Sequence, residues 1–271
     1  MGLGEQIAAA RRAKGWSQTR LAEELKVSVE AVGKWERNQY APNREKLSRL
    51  TECLDVFAFD EKGDRKDLRF FDEEHMSAFL KGQFGAKGLT EAAAALTYAK
   101  ARHAGQPRKP IAAGIPYIYH PLSLACHAMA MGLEEDTLLA ALLLHDVSED
   151  CGVAPDDLPF SPEVREIVGL VTKPADRSQF SEKDYYAAIL QNPRACLVKC
   201  IDRCHNLSSM SAGFSDAKIA RYVKETETYY PELLKAVKAV PAYNSAAWLL
   251  RYQIKALLDM AARICWISSS T

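Results

Sequence analysis

The most informative stretch of this sequence reads Leu142-Leu143-Leu144-His145-Asp146-Val147-Ser148-Glu149-Asp150. An apolar run leads here into one imidazole and three carboxylates. The apolar spacing predicts a helix over Thr137 to Asp150, which stacks His145 with Glu149 and Asp146 with Asp150 on roughly one side. Carboxylates so close repel one another unless a cation lies among them. The stretch therefore predicts a divalent metal, and imidazole with carboxylate suits manganese or iron, whereas thiolates would indicate zinc.

Two distant residues complete a metal-binding set. His120 lies in Pro116-Tyr117-Ile118-Tyr119-His120-Pro121, at the start of a predicted helix whose first position suits Pro121. Asp202 is an unusual carboxylate on the otherwise apolar face of a helix predicted from Arg194 to Met210. His120 and Asp202 can complete, with the stretch around His145, the coordination sphere of one divalent ion per chain. A His, a His-Asp pair and a distant Asp in this order resemble the HD metal-dependent phosphohydrolases.

Four motifs in the second part of the chain extend this resemblance. They read His103-Ala104-Gly105-Gln106-Pro107-Arg108-Lys109, Gly114-Ile115-Pro116-Tyr117-Ile118-Tyr119-His120-Pro121, His145-Asp146-Val147-Ser148-Glu149-Asp150 and Asp202-Arg203-Cys204-His205-Asn206. Together they resemble the hydrolase domain of the RelA/SpoT homologues, close to the small alarmone hydrolases, over about residues 85–235. The chain departs from that family where Pro110-Ile111-Ala112-Ala113 precedes Gly114, where Cys204 replaces a common Leu, and where Ser208 replaces a common Arg.

The resemblance implies an activity and a role for each matched residue. Such a domain removes the 3′-pyrophosphate of guanosine tetraphosphate or pentaphosphate, using manganese. By matching position, His120, His145, Asp146 and Asp202 hold the metal, while Glu149 and Asp150 position and deprotonate the attacking water. The implied nucleotide contacts are Arg108, Lys109, Asn206, Lys218 and Tyr222.

The N-terminal residues form a separate pattern. Their apolar positions fit three short amphipathic helices, with a tight connection, Lys26-Val27-Ser28, between the second and the third. Ser17 and Ser28 are the predicted N-caps of those two helices, and Trp16 and Trp35 are predicted core residues. Two helices joined by so short a turn form a helix-turn-helix, whose later helix can enter the major groove of DNA.

Two strings in this segment carry a second resemblance. Trp16-Ser17-Gln18-Thr19-Arg20-Leu21-Ala22-Glu23-Glu24-Leu25 and Val27-Ser28-Val29-Glu30-Ala31-Val32-Gly33-Lys34-Trp35-Glu36-Arg37 closely resemble the lambda-repressor/Xre family over residues 3–55. The resemblance implies DNA contacts from Gln18, Val29, Glu30 and Lys34, with Arg37 and Asn38 near the DNA backbone. Glutamine can pair bidentately with adenine, and glutamate can accept from cytosine. The alternative is a small helical module that binds protein; the net charge before Asp55 is +3.

The sequence as a whole predicts an all-α protein of two domains. No alternating run of Val, Ile or Thr indicates a strand. We expect a helix-turn-helix domain over residues 1–56, a charged linker over 57–84 and an HD-type hydrolase domain over 85–271. Further helices are predicted at Thr90 to His103 with Thr90 as N-cap, Pro162 to Thr172, Asp184 to Leu190, Asp216 to Lys238 and Ser245 to Trp266.

Composition excludes several classes of protein. With 48% hydrophobic residues the chain can build a core, and 35 basic residues balance 35 acidic ones. The longest apolar run, Leu138 to Leu144, is far shorter than the roughly twenty residues that a membrane span needs. Seven cysteines without a signal peptide make a disulfide framework unexpected, so we expect a cytoplasmic protein. Cys196, Cys200 and Cys204 share one helical stripe and are predicted core residues.

Three hypotheses of function remain open at this point. The first is a nucleotide pyrophosphohydrolase that also binds duplex DNA, with a homodimer as its expected assembly. The second is a nucleotide-sensing transcription regulator with little or no turnover, and the third is an antitoxin-like hydrolase that reverses the product of a partner synthetase. Glu149 and Asp150 favour an enzyme, because a sensor needs no residues that activate water.

Overall fold

The computed structural model describes residues 3–54, 72–106, 116–174, 176, 178, 180–210 and 214–269. The chain divides into two compact units, Met1–Leu68 and Arg69–Thr271. Within the described residues every regular element is a helix and no strand occurs, which confirms the all-α prediction. None of the helices in these ranges is both long and apolar enough to cross a membrane.

The first unit contains the helix-turn-helix. Its helices are α1 (Leu3–Ala13), α2 (Gln18–Leu25), α3 (Val29–Glu36) and α4 (Arg44–Cys53). Both predicted caps are confirmed: Ser17 accepts a hydrogen bond from the Arg20 amide at 3.0 Å, and Ser28 accepts one from the Ala31 amide at 3.1 Å. The α4 helix adds to the three predicted ones, and Leu50 from it is fully buried in the core beside Trp35.

The second unit holds the larger core. Its helices are α5 (Glu73–Lys87), α6 (Thr90–Arg102), α7 (Tyr119–Ala130), α8 (Asp136–Leu144), α9 (Val147–Cys151), α10 (Pro162–Val171), α11 (Glu182–Ile189), α12 (Pro193–Ser209), α13 (Asp216–Lys238) and α14 (Asn244–Ser269). The α12 helix lies at the centre, with eleven buried residues and contacts to α7, α8, α10, α11, α13 and α14. Because α12 is surrounded, a polar side chain at one of its buried positions faces other protein groups and needs a specific partner.

The predicted linker is too long. Residues 73–84 belong to α5, which begins after the N-cap Asp72, and this part of the linker prediction is wrong. Met76, Leu80 and Phe84 are buried and recur every four residues, so they form a narrow stripe that packs into the core of the second unit. Charged residues lie on the exposed face of the helix around that stripe. They make the apolar stripe hard to recognise from the composition of the segment.

The start of α6 differs from the prediction. Thr90 is its first helical residue rather than its N-cap, and the residue at the cap position, Leu89, has no side chain that could bond. Asp136 supplies the acceptors instead, because its carboxylate binds the Glu91 amide at 3.0 Å and the Ala92 amide at 2.7 Å. A carboxylate 45 positions away in sequence from Glu91 therefore caps this helix.

The helix predicted over Thr137 to Asp150 is two helices. The α8 helix ends at Leu144 and α9 begins at Val147, so the chain breaks at the pair His145 and Asp146. His145 contributes to the break, since its ring Nδ1 lies 2.9 Å from the Leu142 carbonyl. The Asp146 amide would use that acceptor in a continuous helix, and a side chain that competes for it favours termination.

Candidate metal centre and nucleotide cavity

Four side chains from three places in the sequence meet at one point of the second unit. Donor atoms of His120, His145 and Asp202 all lie within 4.8 Å of one another. The Nε2 atom of His120 is 3.2 Å from Nε2 of His145 and 3.2 Å from Oδ1 of Asp202. Asp146 joins them, with its Oδ2 3.0 Å from His145 Nε2. The structure thus brings together all four residues that the sequence predicts as ligands.

Neighbouring groups fix the orientation of each donor. The Leu142 carbonyl binds Nδ1 of His145, so its Nε2 points toward the centre. Tyr117 donates to Oδ2 of Asp146 at 2.6 Å. Asn206 donates to Oδ1 of Asp202 at 2.5 Å. Partners of this kind hold metal-binding side chains in place and set the tautomer of a histidine.

The charges at this centre fit a cation. Burial alone would raise the pKa of Asp202, but Lys199 and His120 hold that pKa well below its usual range, so the carboxylate is ionised. Burial would lower the pKa of His145, yet the Asp146 carboxylate outweighs burial and raises it to about 9. A divalent cation can take the place of the proton, because two imidazole nitrogens and two carboxylates suit a first-row metal. The donor set therefore fits the predicted divalent metal.

A cavity of about 520 Å³ is lined by three of the four donors, His120, Asp146 and Asp202. Its volume lies in the range of small-molecule sites. Glu149 and Asp150 line it, as predicted for residues that act on water next to a metal. The Glu149 carboxylate accepts a hydrogen bond from the Lys173 amide at 2.6 Å, and burial raises the pKa of Glu149. A carboxylate with a raised pKa is better suited to accept a proton than an ordinary one.

Three of the predicted nucleotide contacts also line the cavity. Asn206, Lys218 and Tyr222 are among its wall residues. The Lys218 ammonium lies 3.6 Å from the centroid of the Phe214 ring and 5.6 Å from that of Tyr222, which places a cation and two aromatic rings at one side of the opening. Arg108 and Lys109 lie outside the described residues. The wall is thus equipped for a polyanion that carries a ring system.

Sequence reasoning missed a buried network in the same wall. Arg203 is 4% exposed, and its Nη2 lies 2.9 Å from Oε2 of Glu225. Tyr186 donates to Oε1 of Glu225 at 2.7 Å, and the Lys173 ammonium lies 3.3 Å from the same oxygen. Burial would raise the pKa of Glu225, but Arg203 outweighs it and lowers the pKa to about 2. The only available sequence signal was a cation directly after Asp202 on an apolar helix.

The cysteine stripe on α12 is part of the core. Cys196, Cys200 and Cys204 are buried, and burial raises the pKa of Cys196 to about 12 and that of Cys204 to about 11. Thiols that resist deprotonation pack as small apolar groups. The metal-donor group found among the described residues contains none of these three cysteines.

Three of the four predicted DNA contacts, Gln18, Val29 and Glu30, lie at the starts of α2 and α3 in the first unit, and Lys34 lies in the last turn of α3. Gln18 donates to the Glu36 carboxylate at 2.8 Å, and Glu36 also binds Arg11 at 2.6 Å. The Lys34 ammonium is 2.9 Å from the Glu30 carboxylate, on the outer side of α3. Val29 is 42% exposed, which is unusual for a large apolar residue. The first turn of α3 therefore presents charged and apolar atoms to solvent, and the base contacts stay a prediction.

Comparison with known proteins supports both resemblances. The family model described as an HD domain matches residues 95–237, and the model described as a helix-turn-helix matches residues 7–56. A solved structure described as "A metazoan ortholog of SpoT hydrolyzes ppGpp and plays a role in starvation responses" aligns with a TM-score of 0.48 and 20% identity, over 63% of this chain and 94% of that chain.

Curated relatives match the second part of the chain. The bifunctional (p)ppGpp synthase/hydrolase SpoT of Escherichia coli K12 is 37% identical over 145 residues, which are 49% of this chain and 20% of the relative. The guanosine-3′,5′-bis(diphosphate) 3′-pyrophosphohydrolase of Aquifex aeolicus is 31% identical over 168 residues, 59% of this chain and 22% of the relative. The chain thus spans about a fifth of the length of these relatives. Since the HD domain match covers more than half of the sequence, and the donors predicted from it converge in the structure, this chain belongs to the HD domain family.

Proposed function

We propose that this protein is a metal-dependent nucleotide pyrophosphohydrolase that acts on guanosine tetraphosphate or pentaphosphate. The observation that carries the proposal is the meeting of His120, His145, Asp146 and Asp202, three of which line a cavity together with Glu149 and Asp150. The hydrolase named in its relatives is a 3′-pyrophosphohydrolase. Water then adds across the bond between the ribose 3′ oxygen and the pyrophosphate, and pyrophosphate leaves.

The residues divide into three groups by what they would do. The four donors hold one divalent ion, which we take to be manganese because the resemblance to the alarmone hydrolases implies that metal; imidazole with carboxylate suits it. When bound, such an ion makes a neighbouring water more acidic and draws charge from the phosphate oxygens. Glu149 accepts the proton of the attacking water, and Asp150 orients that water. Arg108, Lys109, Asn206, Lys218 and Tyr222 contact the nucleotide.

The cavity wall supports a substrate with several negative charges. Lys173, Lys199, Arg203, Lys218 and Arg221 all line it, together with six carboxylates. Glu225 pairs with Lys173 and Arg203, and Asp202 pairs with Lys199. A polyanion that enters the cavity would meet the ammonium of Lys218, which lies 3.6 Å from the Phe214 ring centroid, and the guanidinium of Arg221. This favours a nucleotide with phosphate groups over a neutral substrate.

For the first unit we propose duplex DNA as the partner. The α2 helix ends at Lys26, whose backbone is left-handed with a φ of 54°, and Ser28 caps the start of α3, so a short turn joins the two helices as in a helix-turn-helix. The contacts proposed are Gln18, Val29, Glu30 and Lys34. Helix-turn-helix proteins commonly bind two half-sites as dimers about 34 Å apart, so a homodimer is the assembly that we infer. Cytoplasmic localisation stays a prediction from the sequence.

A regulator that senses the nucleotide is the second candidate, because the same chain carries a helix-turn-helix. One experiment separates the two. The full chain is incubated with Mn²⁺ and a panel of guanosine tetraphosphate, NADPH and 3′-phosphorylated RNA, while release of pyrophosphate or phosphate and calorimetric binding are both measured. Turnover of guanosine tetraphosphate supports the hydrolase, and turnover of RNA ends alone supports the antitoxin-like role. Binding without turnover across the panel refutes the hydrolase and supports the sensor.

A further inference from the structure

The candidate base Glu149 is held by one hydrogen bond. Its carboxylate accepts from the Lys173 main-chain amide at 2.6 Å, and no other hydrogen bond to this carboxylate occurs within the described residues. Glu149 and Lys173 both line the nucleotide cavity and also a second cavity of about 340 Å³. A side chain that borders two cavities has little packing to select its rotamer. The position of the Glu149 carboxylate therefore depends on how firmly the Lys173 amide is held.

The sequence makes this amide available at the end of α10. That helix ends at Val171, and Lys173 is followed by Pro174, whose ring disfavours a helical backbone at the residue before it. In a continuing helix the Lys173 amide would bind the carbonyl four residues earlier. Because the helix has ended, the amide can bind the Glu149 carboxylate instead.

The side chain of Lys173 anchors this residue to the core of the second unit. Its ammonium lies 3.3 Å from Oε1 of Glu225 on α13, whose side chain is 7% exposed. Tyr186 from α11 and Arg203 from α12 bind the same carboxylate, at 2.7 and 2.9 Å. The Tyr185 ring centroid is 5.5 Å from the Lys173 ammonium, within the range of a cation–π contact. A carboxylate held by donors from three elements is a fixed anchor for that ammonium.

The same contacts connect the base with the metal centre. Arg203 directly follows the candidate donor Asp202 on α12 and is 4% exposed. A continuous series of contacts thus runs from Glu149 through Lys173 and Glu225 to the residue beside Asp202. A base that is tied in this way to the helix supplying a donor keeps a fixed separation from the metal centre. Attack by a positioned water requires such a fixed geometry.

We propose that Lys173 is a positioning residue for the hydrolysis: Glu225 anchors its ammonium, so that its main-chain amide holds the Glu149 carboxylate in place beside the metal centre. This role rests on the proposed function, in which Glu149 is the base. Lys173 also lines the nucleotide cavity, so the alternative role is direct contact with the substrate. The ion pair with Glu225 argues against that alternative, because a buried carboxylate already neutralises the ammonium that a phosphate group would need.

Lys173→Met tests the anchor, because it removes the ammonium and keeps the main-chain amide and an apolar stem. Pyrophosphate release from guanosine tetraphosphate by the full chain with Mn²⁺ should show kcat about tenfold lower or more and KM within about twofold, since a misplaced base slows the chemical step alone. Tyr186→Phe is the matched control: it removes a bond to the same Glu225 oxygen, leaves Lys173 in place, and should lower kcat less than about threefold. A raised KM with kcat unchanged, or no change in either, overturns the proposal.

A double-variant cycle tests whether Lys173 acts through the base. In the Glu149→Gln background, Lys173→Met should lower kcat by less than about twofold, because no base is left to position. Elemental analysis should find the same metal content in both variants, and circular dichroism the same helix content. An equal fall in kcat in the two backgrounds overturns the proposal, since Lys173 would then act without Glu149.

Hydrogen exchange of the amide at position 173, followed by NMR, gives a readout that needs no turnover. The bond to Glu149 protects this amide in the wild-type chain. Lys173→Met should speed its exchange about tenfold or more, while the amides of Val168 and Val171 in α10 keep their rates. Unchanged exchange at position 173 overturns the proposal. A wild-type chain that turns over no nucleotide refutes the proposed function, and the exchange rate still decides whether the side chain of Lys173 holds its amide on Glu149.

Discussion

Replacing Glu149 by glutamine is the sharpest test of the proposed chemistry. The Glu149 carboxylate accepts a hydrogen bond from the Lys173 amide at 2.6 Å, and the carbonyl oxygen of glutamine can accept the same bond. The change turns a charged acceptor into a neutral one, which costs about 1 kcal/mol of stability. The four metal donors are untouched, so metal content and nucleotide affinity should stay close to wild type. The loss of the base should lower turnover by roughly two to four orders of magnitude.

That loss corresponds to about 3–5 kcal/mol of transition-state stabilisation, several times the expected loss of stability. The assay pairs steady-state pyrophosphate release from guanosine tetraphosphate with calorimetric binding of the same nucleotide and elemental analysis for manganese. Glu182→Gln is the matched control, because Glu182 lines the same cavity and loses the same charge while making no contact with the donors. If Glu149→Gln turns over as fast as wild type, Glu149 is not the base and Asp150 takes that role.

Four further perturbations have defined outcomes. Asp202→Ala should remove the divalent ion with helix content unchanged, and elemental analysis that finds the ion retained refutes the ligand set. Gln18→Ala should weaken sequence preference more than non-specific affinity, which competition binding on selected and random duplexes measures. Asp136→Ala should cost about 1–2 kcal/mol in urea unfolding, because two amides of α6 lose their acceptor. Burial would raise the pKa of Glu36, but Arg11 and Gln18 lower it, so its contribution to stability is full near neutral pH and is lost as pH falls below about 4. Hydrogen exchange of the α3 amides between neutral and acidic pH should show that loss.

The metal donors could be predicted from the sequence because each stands out locally. His120 and Asp202 are ionisable groups within apolar helices, and burying such groups is costly unless a partner or a metal compensates. Serine caps such as Ser17 are equally local, since the cap and the amide it binds are three residues apart. Structural features that depend on residues close together in the sequence could therefore be predicted.

Contacts between residues far apart in the sequence could not be predicted in the same way. Asp136 caps α6 across 45 residues, and Tyr186 binds Glu225 across 39 residues. No spacing rule connects such pairs, because the contact depends on how the helices pack rather than on their own periodicity. The α5 helix was not predicted from the sequence for a different reason. One apolar residue per turn is enough to hold α5 in the core. A pattern with so few apolar positions among charged residues is too weak to predict a helix.

The break between α8 and α9 falls at the two adjacent candidate donors, His145 and Asp146. On a continuous helix neighbouring residues point about 100° apart, and Asp146 would share a side with Asp150. At the break the Asp146 backbone departs from ideal helical values, with a φ of −98° and a ψ of −6°, and its carboxylate lies 3.0 Å from His145 Nε2. The following helix α9 carries Glu149 and Asp150, which line the wall of the cavity. The competition for the Leu142 carbonyl thus lies at the point in the chain where the candidate donors give way to the residues proposed to act on water.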